Sequence, residues 1–319
     1  MTRTTALLAL STAALLASSA SAADLLVPSQ FPTIQAAVDF ASPGDKVRIA
    51  DGVYDEGVMV EGKFDLAIKG DDGVFVRMIW VDGCAQVSVK EITYTETSDF
   101  QLIVSNSNGV DVRFSTFQNG QQGVGVFSSK NVNVRDSDVM FLGLGVAMQD
   151  SESCRVAVAA AQTTTAIHLV NCVGTLIEEC PLKNAGVVFV DASPFTTIRS
   201  NSFKGTRLGA VNTSNLLVEG NKFKKSEHAA IFFDNVFNST IQVNAMKKAQ
   251  ADGIRIDNGG GNFLFANKIK KSGQVGVRLA STGNSIDQNQ IKKSGQLDLL
   301  DFALGANSYG FNVIGTSNL

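Results

Sequence analysis

The 319-residue chain carries 27 Lys and Arg against 30 Asp and Glu, a formal net charge of −3. Its 44% hydrophobic and 18% charged residues exclude a disordered chain, and 29 glycines beside five prolines suit a molecule with many tight turns. The small net charge conceals an asymmetry. Residues 195–295 contain 15 Lys and Arg against 6 Asp and Glu (net +9), while the rest of the chain contains 12 against 24 (net −12).

The first 22 residues have the pattern of a secretory signal. Arg3 precedes an apolar run over residues 6–17, and Ala20, Ser21 and Ala22 fit the small-residue cleavage site. The apolar run is too short to span a bilayer, and no Cys follows the cleavage point as a lipid anchor would require. We therefore expect a secreted or periplasmic protein, cleaved near Ala22, without a membrane anchor.

Residues 23–62 are predicted to form an N-terminal cap. Thr33 is a helix N-cap candidate, and Ile34, Ala37, Val38 and Ala41 fall on one face of a short helix that ends before Pro43. A strand over residues 46–50 follows. A solenoid must close its open apolar end, and this amphipathic helix could be the lid.

The remaining residues, 63–319, are organised by a repeated phrase: Asn, any residue, a large apolar residue, two lysines, a turn and a short strand. Asn221, Asn244, Asn267 and Asn289 are 23, 23 and 22 residues apart, and the register extends to Asn201 and Asn312. This period predicts a solenoid, and the alternation of apolar and polar residues predicts strands. Such a repeat gives an all-β, parallel β-helix of about 12 coils of 20–24 residues.

The asparagines are expected to lie at the same bend of successive coils, because Asn tolerates the left-handed conformation and its amide can bond the Asn of the next coil. In earlier coils the same position is predicted to hold Ser115, Ser137, Ala159 and Cys180. Two residues after each Asn, the large apolar residues should form a buried column: Phe203, Phe223, Met246, Ile269, Ile291 and Ile314.

The run PTIQAAVDFASPGDKVRIADGVYDEGVMVEG (residues 32–62), followed by the Asn repeats, resembles secreted right-handed parallel β-helix proteins of the pectate-lyase-like superfamily. The resemblance implies a right-handed, single-stranded β-helix. Members include uronan lyases, epimerases, pectin esterases, polygalacturonases and non-catalytic binders, so it specifies activity weakly. The signature motifs of the polygalacturonases, pectin esterases and alginate epimerases do not occur in the sequence.

The strand after each lysine pair is predicted to carry an outward column that is small or apolar early and cationic late: Gly125, Ala147, His168, Val188, Val211, Phe232, Arg255 and Arg278. The lysine pairs flank it: Lys224, Lys225, Lys247, Lys248, Lys270, Lys271, Lys292 and Lys293. One interpretation is a groove for an acidic polysaccharide, bound by these lysines and Phe232. The other is that repeat duplication copied a solvated turn.

The resemblance also implies a chemistry. In the lyases, Ca²⁺ held by Asp neutralises a uronate carboxylate and an Arg or Lys removes the adjacent proton. Asp234 and Asp257 occupy matching places on adjacent coils and could share Ca²⁺, with Arg255 or Arg278 as base. The alternatives are a surface Arg/Asp ladder and, ranked below elimination, a glycoside hydrolase using the two Asp residues.

Neither histidine has a spaced partner, so His168 and His228 can both be ordinary surface residues; His168 is the stronger candidate for a catalytic role. Cys84, Cys154, Cys172 and Cys180 allow three full disulfide pairings in an oxidising compartment, or buried free thiols. Nucleic acid is a poor partner for an exported, net acidic chain without aromatic residues among its lysines.

These observations predict a monomeric, exported β-helix protein that binds an acidic, uronate-containing polysaccharide and cleaves it by β-elimination. The rival prediction is a non-catalytic glycan-binding or structural protein of the cell envelope.

Overall fold

The computed structural model describes residues 22–319, and the predicted signal segment lies outside the described residues apart from Ala22. The fold is a parallel β-helix, as predicted, in which the chain winds through about 13 turns with one short helix. Each coil contributes strands to three parallel sheets, named A, B and C below, with a hydrophobic core between them. No helix in this part of the chain is both long and apolar enough to cross a bilayer.

Sheet A contains the longest strands of the molecule. Its strands are Gly52–Glu61, Val74–Asp82, Phe100–Ser105, Gln122–Phe127, Leu144–Gln149, Thr165–Val170, Val187–Asp191, Arg207–Ser214, Ile231–Phe237, Ile254–Ile256, Val277–Leu279 and Leu299–Asp301. A two-residue strand, Gly259–Gly260, continues the pairing at the end of Ile231–Phe237.

Sheet B begins at the first described strand and runs the length of the molecule. Its strands are Asp24–Val27, Lys46–Ile49, Ala67–Gly70, Ser88–Lys90, Asp111–Arg113, Asn133–Met140, Arg155–Ala161, Leu176–Glu178, Thr197–Arg199, Leu217–Glu219, Thr240–Gln242, Phe263–Phe265, Ser285–Asp287 and Ser308–Tyr309. The sheets therefore already run through residues 23–62.

Sheet C follows the Asn bend of each coil. Its strands are Thr93–Tyr94, Thr116–Gln118, Pro181–Lys183, Ser202–Lys204, Lys222–Lys224, Ala245–Lys247, Lys268–Lys270, Gln290–Lys292 and Val313–Ile314. The ends of Asn133–Met140 and Arg155–Ala161 also pair in this sheet.

The helix Ile34–Phe40 forms where the sequence predicts it. The Thr33 hydroxyl accepts from the Ala36 N–H at 3.1 Å, and the Glu56 carboxylate accepts from the N–H groups of Ile34 and Gln35. The predicted apolar face is buried. Capping and burial together fix the helix against the first coils.

The asparagine ladder is confirmed. Asn201, Asn221, Asn244, Asn267 and Asn289 are at most 2% exposed, and each bonds the Asn of the next coil through its N–H and its side-chain amide. The expected reason was wrong in one respect. The left-handed residue is the one before each Asn, such as Val243 (φ +57°) before Asn244. The apolar column two residues later is buried, except that Ile314 is half-buried.

A second ladder, not predicted, lies between sheets A and B and mixes residue types. Serine hydroxyls accept from the backbone N–H of the preceding coil, for example Ser129 from Ser107 at 3.1 Å. The positions include Cys84, Ser107, Ser129, Ser151, Cys172, Ser193, Ser239, Asn262, Asn284 and Asn307. Because the residue type varies from coil to coil, this ladder leaves no repeated letter in the sequence.

All four cysteines are free and buried, which decides between the two alternatives in favour of thiols. Cys180 stands in the Asn ladder, as predicted, with its N–H donating to Asn201 Oδ1 at 2.9 Å. Ala159 does not stand there: it is half-buried and pairs with Asp138, one residue past the ladder.

The predicted register of sheet A is wrong between residues 187 and 211. Val188 is buried, and the outward residue is Phe189, which lies between His168 and Gly209 in the column. The outward column therefore runs His168, Phe189, Gly209, Phe232, Arg255, Arg278. Coils 20 and 21 residues long displace the strand start here relative to the 23-residue coils that follow.

Candidate functional site

A cleft of about 200 Å³ opens where the turns after sheet C meet sheet A. It is lined by Arg207, His228, Ala229, Phe232, Ala251, Asp252, Arg255 and Gln274. A second cavity of about 190 Å³ adjoins it and shares Arg207 and His228. A larger cavity of about 350 Å³ near the N terminus is lined by Asp71, Asp72 and Glu91, so an anionic ligand would be repelled there.

Arg207 is the cation of this cleft that remains available to a ligand. Its side chain is half-buried and lines both cavities. Among residues 22–319, the arginines that hold the other cleft positions are engaged: Arg255 with Asp257 and Arg278 with Asp252, whereas Arg207 forms no ion pair. A guanidinium with free donors is suited to a carboxylate or phosphate group.

Phe232 supplies the aromatic surface of the cleft. The Arg255 guanidinium carbon lies 5.5 Å from the centre of its ring. On the other flank the column holds Gly209, where a Cβ would come within 3.1 Å of the Phe189 ring. Because Gly209 has no side chain, Phe189 and Phe232 form a nearly continuous aromatic strip on sheet A.

Arg255 is held by a bidentate ion pair. Its Nε and NH2 groups donate to the Asp257 carboxylate at 2.7–3.0 Å. These hydrogen bonds raise the pKa of Arg255 above its ordinary value, which burial alone would lower. A guanidinium held in this state is a poor proton acceptor, so the geometry disfavours the predicted role of Arg255 as base.

Arg278 is bound from below. Its Nε donates to Oδ2 of Asp252 at 2.9 Å, and Oδ1 of that buried carboxylate accepts from the Val275 N–H. Arg278 therefore neutralises a charge inside the protein. This contact explains why an arginine stands at the position and disfavours a role as base.

The two predicted calcium ligands lie on neighbouring coils, since the Asp257 N–H donates to the Phe233 carbonyl. Asp234 accepts from the Asn258 side chain at 2.7 Å, while Asp257 holds Arg255. Within residues 22–319 no group of three or more His, Cys, Asp and Glu side chains is placed to hold a metal. Calcium at this pair stays a prediction.

His168 is distant from the cleft. Its ring packs 5.4 Å from that of Phe189. Four strand steps separate it from Arg255, about 19 Å at the usual strand spacing. The histidine in the cleft is His228, which the sequence gave no reason to prefer, and Arg207 was also missed.

The predicted lysines do not share a groove with Arg255. Lys224, Lys247, Lys270 and Lys292 lie on sheet C, while Phe232 and Arg255 lie on sheet A. The turn that carries His228 separates the two. The single groove of the sequence interpretation is thus two surfaces, a cleft and a lysine face.

The fold and the site define a parallel β-helix protein with an open cleft on one sheet. The chain belongs to the NosD family, described as periplasmic copper-binding protein, whose model matches residues 38–206 and 159–299. No curated protein matches the chain.

Solved structures share the fold at low identity. The Dettilon tailspike protein gp208 superposes with a TM-score of 0.75 at 12% identity, covering 89% of this chain and 70% of that one. The catalytic domain of a GH87 α-1,3-glucanase in complex with nigerose gives 0.68 at 9%, covering 92% and 68%. The A-module of the Azotobacter vinelandii mannuronan C-5 epimerase AlgE4 gives 0.56 at 16%, covering 88% and 89%.

The copper of the family description does not fit the residues present. Copper prefers thiolate and imidazole ligands. Burial raises the pKa of Cys154 to about 11 and that of Cys180 to about 12, and the Cys180 thiol donates to the Glu178 carbonyl. His168 and His228 lie in different parts of sheet A and its turns.

Proposed function

We propose that this protein is exported and binds an acidic polysaccharide at the cleft on sheet A. The observation that carries the proposal is the combination of an unpaired guanidinium, Arg207, with an aromatic ring, Phe232, in one cleft. A uronate sugar has an apolar ring face and a carboxylate. The ring face would pack on Phe232 while the carboxylate accepts two hydrogen bonds from Arg207.

Two further findings support this proposal. The family is described as periplasmic, which agrees with the expected export. The solved structures that share the fold include a glucanase and a mannuronan epimerase, both of which act on polysaccharides.

Cleavage by β-elimination is a second proposal, supported by the placing of Asp234 and Asp257 on neighbouring coils beside the cleft. In this proposal the two carboxylates hold Ca²⁺, which neutralises the sugar carboxylate so that the adjacent C–H becomes acidic. The base would be His228 rather than Arg255 or Arg278, because imidazole is the commonest general base and both arginines are held by carboxylates.

Binding is tested by calorimetry of the mature protein with polygalacturonate, alginate and a neutral α-glucan. Arg207→Ala and Phe232→Ala should each weaken binding of the acidic polymers at least tenfold. Phe195→Ala, which removes an aromatic side chain 59% exposed elsewhere, is the matched control and should leave binding unchanged. Equal binding of the neutral glucan, or unchanged binding in both cleft variants, would refute the proposal.

Elimination is tested in the same samples by ultraviolet absorbance, which reports the unsaturated ends that only elimination creates. A rise with Ca²⁺ that chelation and His228→Ala abolish supports the lyase. A flat trace with retained binding leaves the protein a non-catalytic binder.

A further inference from the structure

The lysine face is a strip of exposed lysines on sheet C and the turn that follows it. Each member is exposed, and the set is Lys183, Lys204, Lys222, Lys224, Lys225, Lys247, Lys248, Lys268, Lys270, Lys271, Lys292 and Lys293. One column is unbroken: lysines at equivalent positions of six successive strands pair in register, from Lys183 to Lys292. Their backbones stack about 4.8 Å apart.

These lysines are not neutralised by the protein. Among residues 22–319, the lysines that form ion pairs are Lys69 with Glu91 and Lys130 with Glu152, and neither belongs to the lysine face. Like charges stacked along one column repel each other. The protein thus keeps a row of uncompensated positive charges in fixed register.

Turn geometry does not account for the second column. Lys225, Lys248, Lys271 and Lys293 have φ between +56° and +63°, a region that favours Gly and Asn. In the two preceding coils the same position is held by Gly205 and Asn184, also at positive φ. A lysine here adds charge at a place where the backbone would prefer another residue.

We infer that the lysine face binds a linear polyuronate lying along the solenoid axis, with about one carboxylate per coil. An extended pyranose chain advances per sugar by a distance close to the spacing of the coils, so each carboxylate meets a new pair of lysines. The surface shares a ligand class with the proposed function but not its site, because the cleft lies on sheet A.

Other polyanions match this face less well. The exposed residues between the lysines on sheet C are small or polar, such as Ser202, Ala245 and Gln290, and offer no ring for stacking nucleic-acid bases. Phosphates along one strand of duplex DNA rise 3.4 Å per step, which does not match the coil spacing. The same small residues offer no large apolar side chain for insertion into a membrane.

The test compares two variants of equal charge. K224Q/K247Q/K270Q/K292Q removes four charges from one column of the lysine face, and K46Q/K69Q/K90Q/K130Q removes four charges from sheet B and its turns. Binding of long polygalacturonate is measured over a range of salt concentrations, with thermal melting as the folding check. The first variant should lose at least tenfold in affinity and show a shallower salt dependence, while the second should change less than twofold.

Three outcomes would overturn the inference: equal affinity of the two variants; equal binding of poly-dT or of phosphatidylserine vesicles by the unmodified protein; or loss of polygalacturonate binding in Arg207→Ala alone with none in the lysine variant. If the lysine variant melts early, the Lys→Arg quadruple at the same positions must retain binding. Galacturonate trimer separates the two sites. It should bind the cleft and respond to Arg207→Ala, so a failed trimer with lysine-dependent polymer binding refutes the proposed function and leaves this inference standing.

Discussion

The Oδ1 atom of Asn267 accepts two hydrogen bonds from Asn244, one from the backbone N–H and one from the side-chain amide, each at 3.0 Å. Asn244 in turn accepts the same pair from Asn221 and donates to the Val218 carbonyl. Each asparagine therefore satisfies buried groups of three coils. A run of such side chains fixes the register of the stack.

Asn244→Ala is expected to lower the free energy of unfolding by about 3–5 kcal/mol. The change leaves the Asn221 N–H and the Val218 carbonyl buried with fewer partners, and each unsatisfied group costs about 1–3 kcal/mol. Urea denaturation measures the loss. Asn258→Ala is the control, because that amide is exposed and bonds Asp234; it should cost less than about 0.5 kcal/mol. Similar losses in the two variants would contradict the ladder's role.

The two arginines of the predicted catalytic pair should behave differently when removed. Arg278→Ala leaves the Asp252 carboxylate, 1% exposed, without its cation, and should cost about 3 kcal/mol of stability. Arg255→Ala breaks a pair whose arginine side chain is 45% exposed, and should cost less than about 1 kcal/mol. Thermal melts of both variants check this contrast. If Asp252→Asn combined with Arg278→Ala does not recover stability, the lost charge pairing is not the cause.

Stability should fall in acid through Glu178. Burial would raise the pKa of this carboxyl, but hydrogen bonds from Arg199 and Arg155 outweigh burial and hold the pKa below its ordinary value. A carboxyl with a lower pKa in the folded state stabilises fully above its unfolded pKa of about 4.3 and loses that contribution as the pH falls through the folded value. Unfolding midpoints measured between pH 7 and pH 3 should show the fall.

In Glu178→Gln the acid dependence should flatten, since the titrating group is gone. Glu152→Gln is the control for removing a carboxylate from an ion pair: Glu152 pairs with Lys130 at the surface, and its loss should change stability at pH 7 by less than about 1 kcal/mol. An unchanged pH profile in Glu178→Gln would refute the assignment.

The repeated letters of the C-terminal coils made the fold predictable. Asn221 to Asn289 recur at nearly constant spacing because the ladder accepts only an amide that can donate and accept at once, and the period alone then indicates the stacked strands. Earlier coils meet the same need with Ser115, Ser137 or Cys180, so the period fades there and the register slips.

The site was predictable only in part. Phe232 and Arg255 recur at one strand position and were found from the pattern, but Arg207 and His228 come from a strand start and a turn outside the repeated phrase. Whether the lysines share a surface with Arg255 depends on the angle at the turn between sheets C and A, which residue spacing does not encode. For that reason one predicted groove became two surfaces.

The four cysteines should be unreactive in the folded protein. All are buried, burial raises the pKa of each thiol, and the thiols of Cys84 and Cys180 donate to backbone carbonyls. Because the thiolate is the reactive form, an alkylating reagent at pH 8 should label fewer than one thiol per native molecule and all four in denaturant. Mass spectrometry of the labelled protein counts them. Labelling that stops at two thiols in non-reducing denaturant would reveal a disulfide and contradict the free-thiol assignment, and rapid native labelling of Cys180 would show that its place in the Asn ladder opens to solvent.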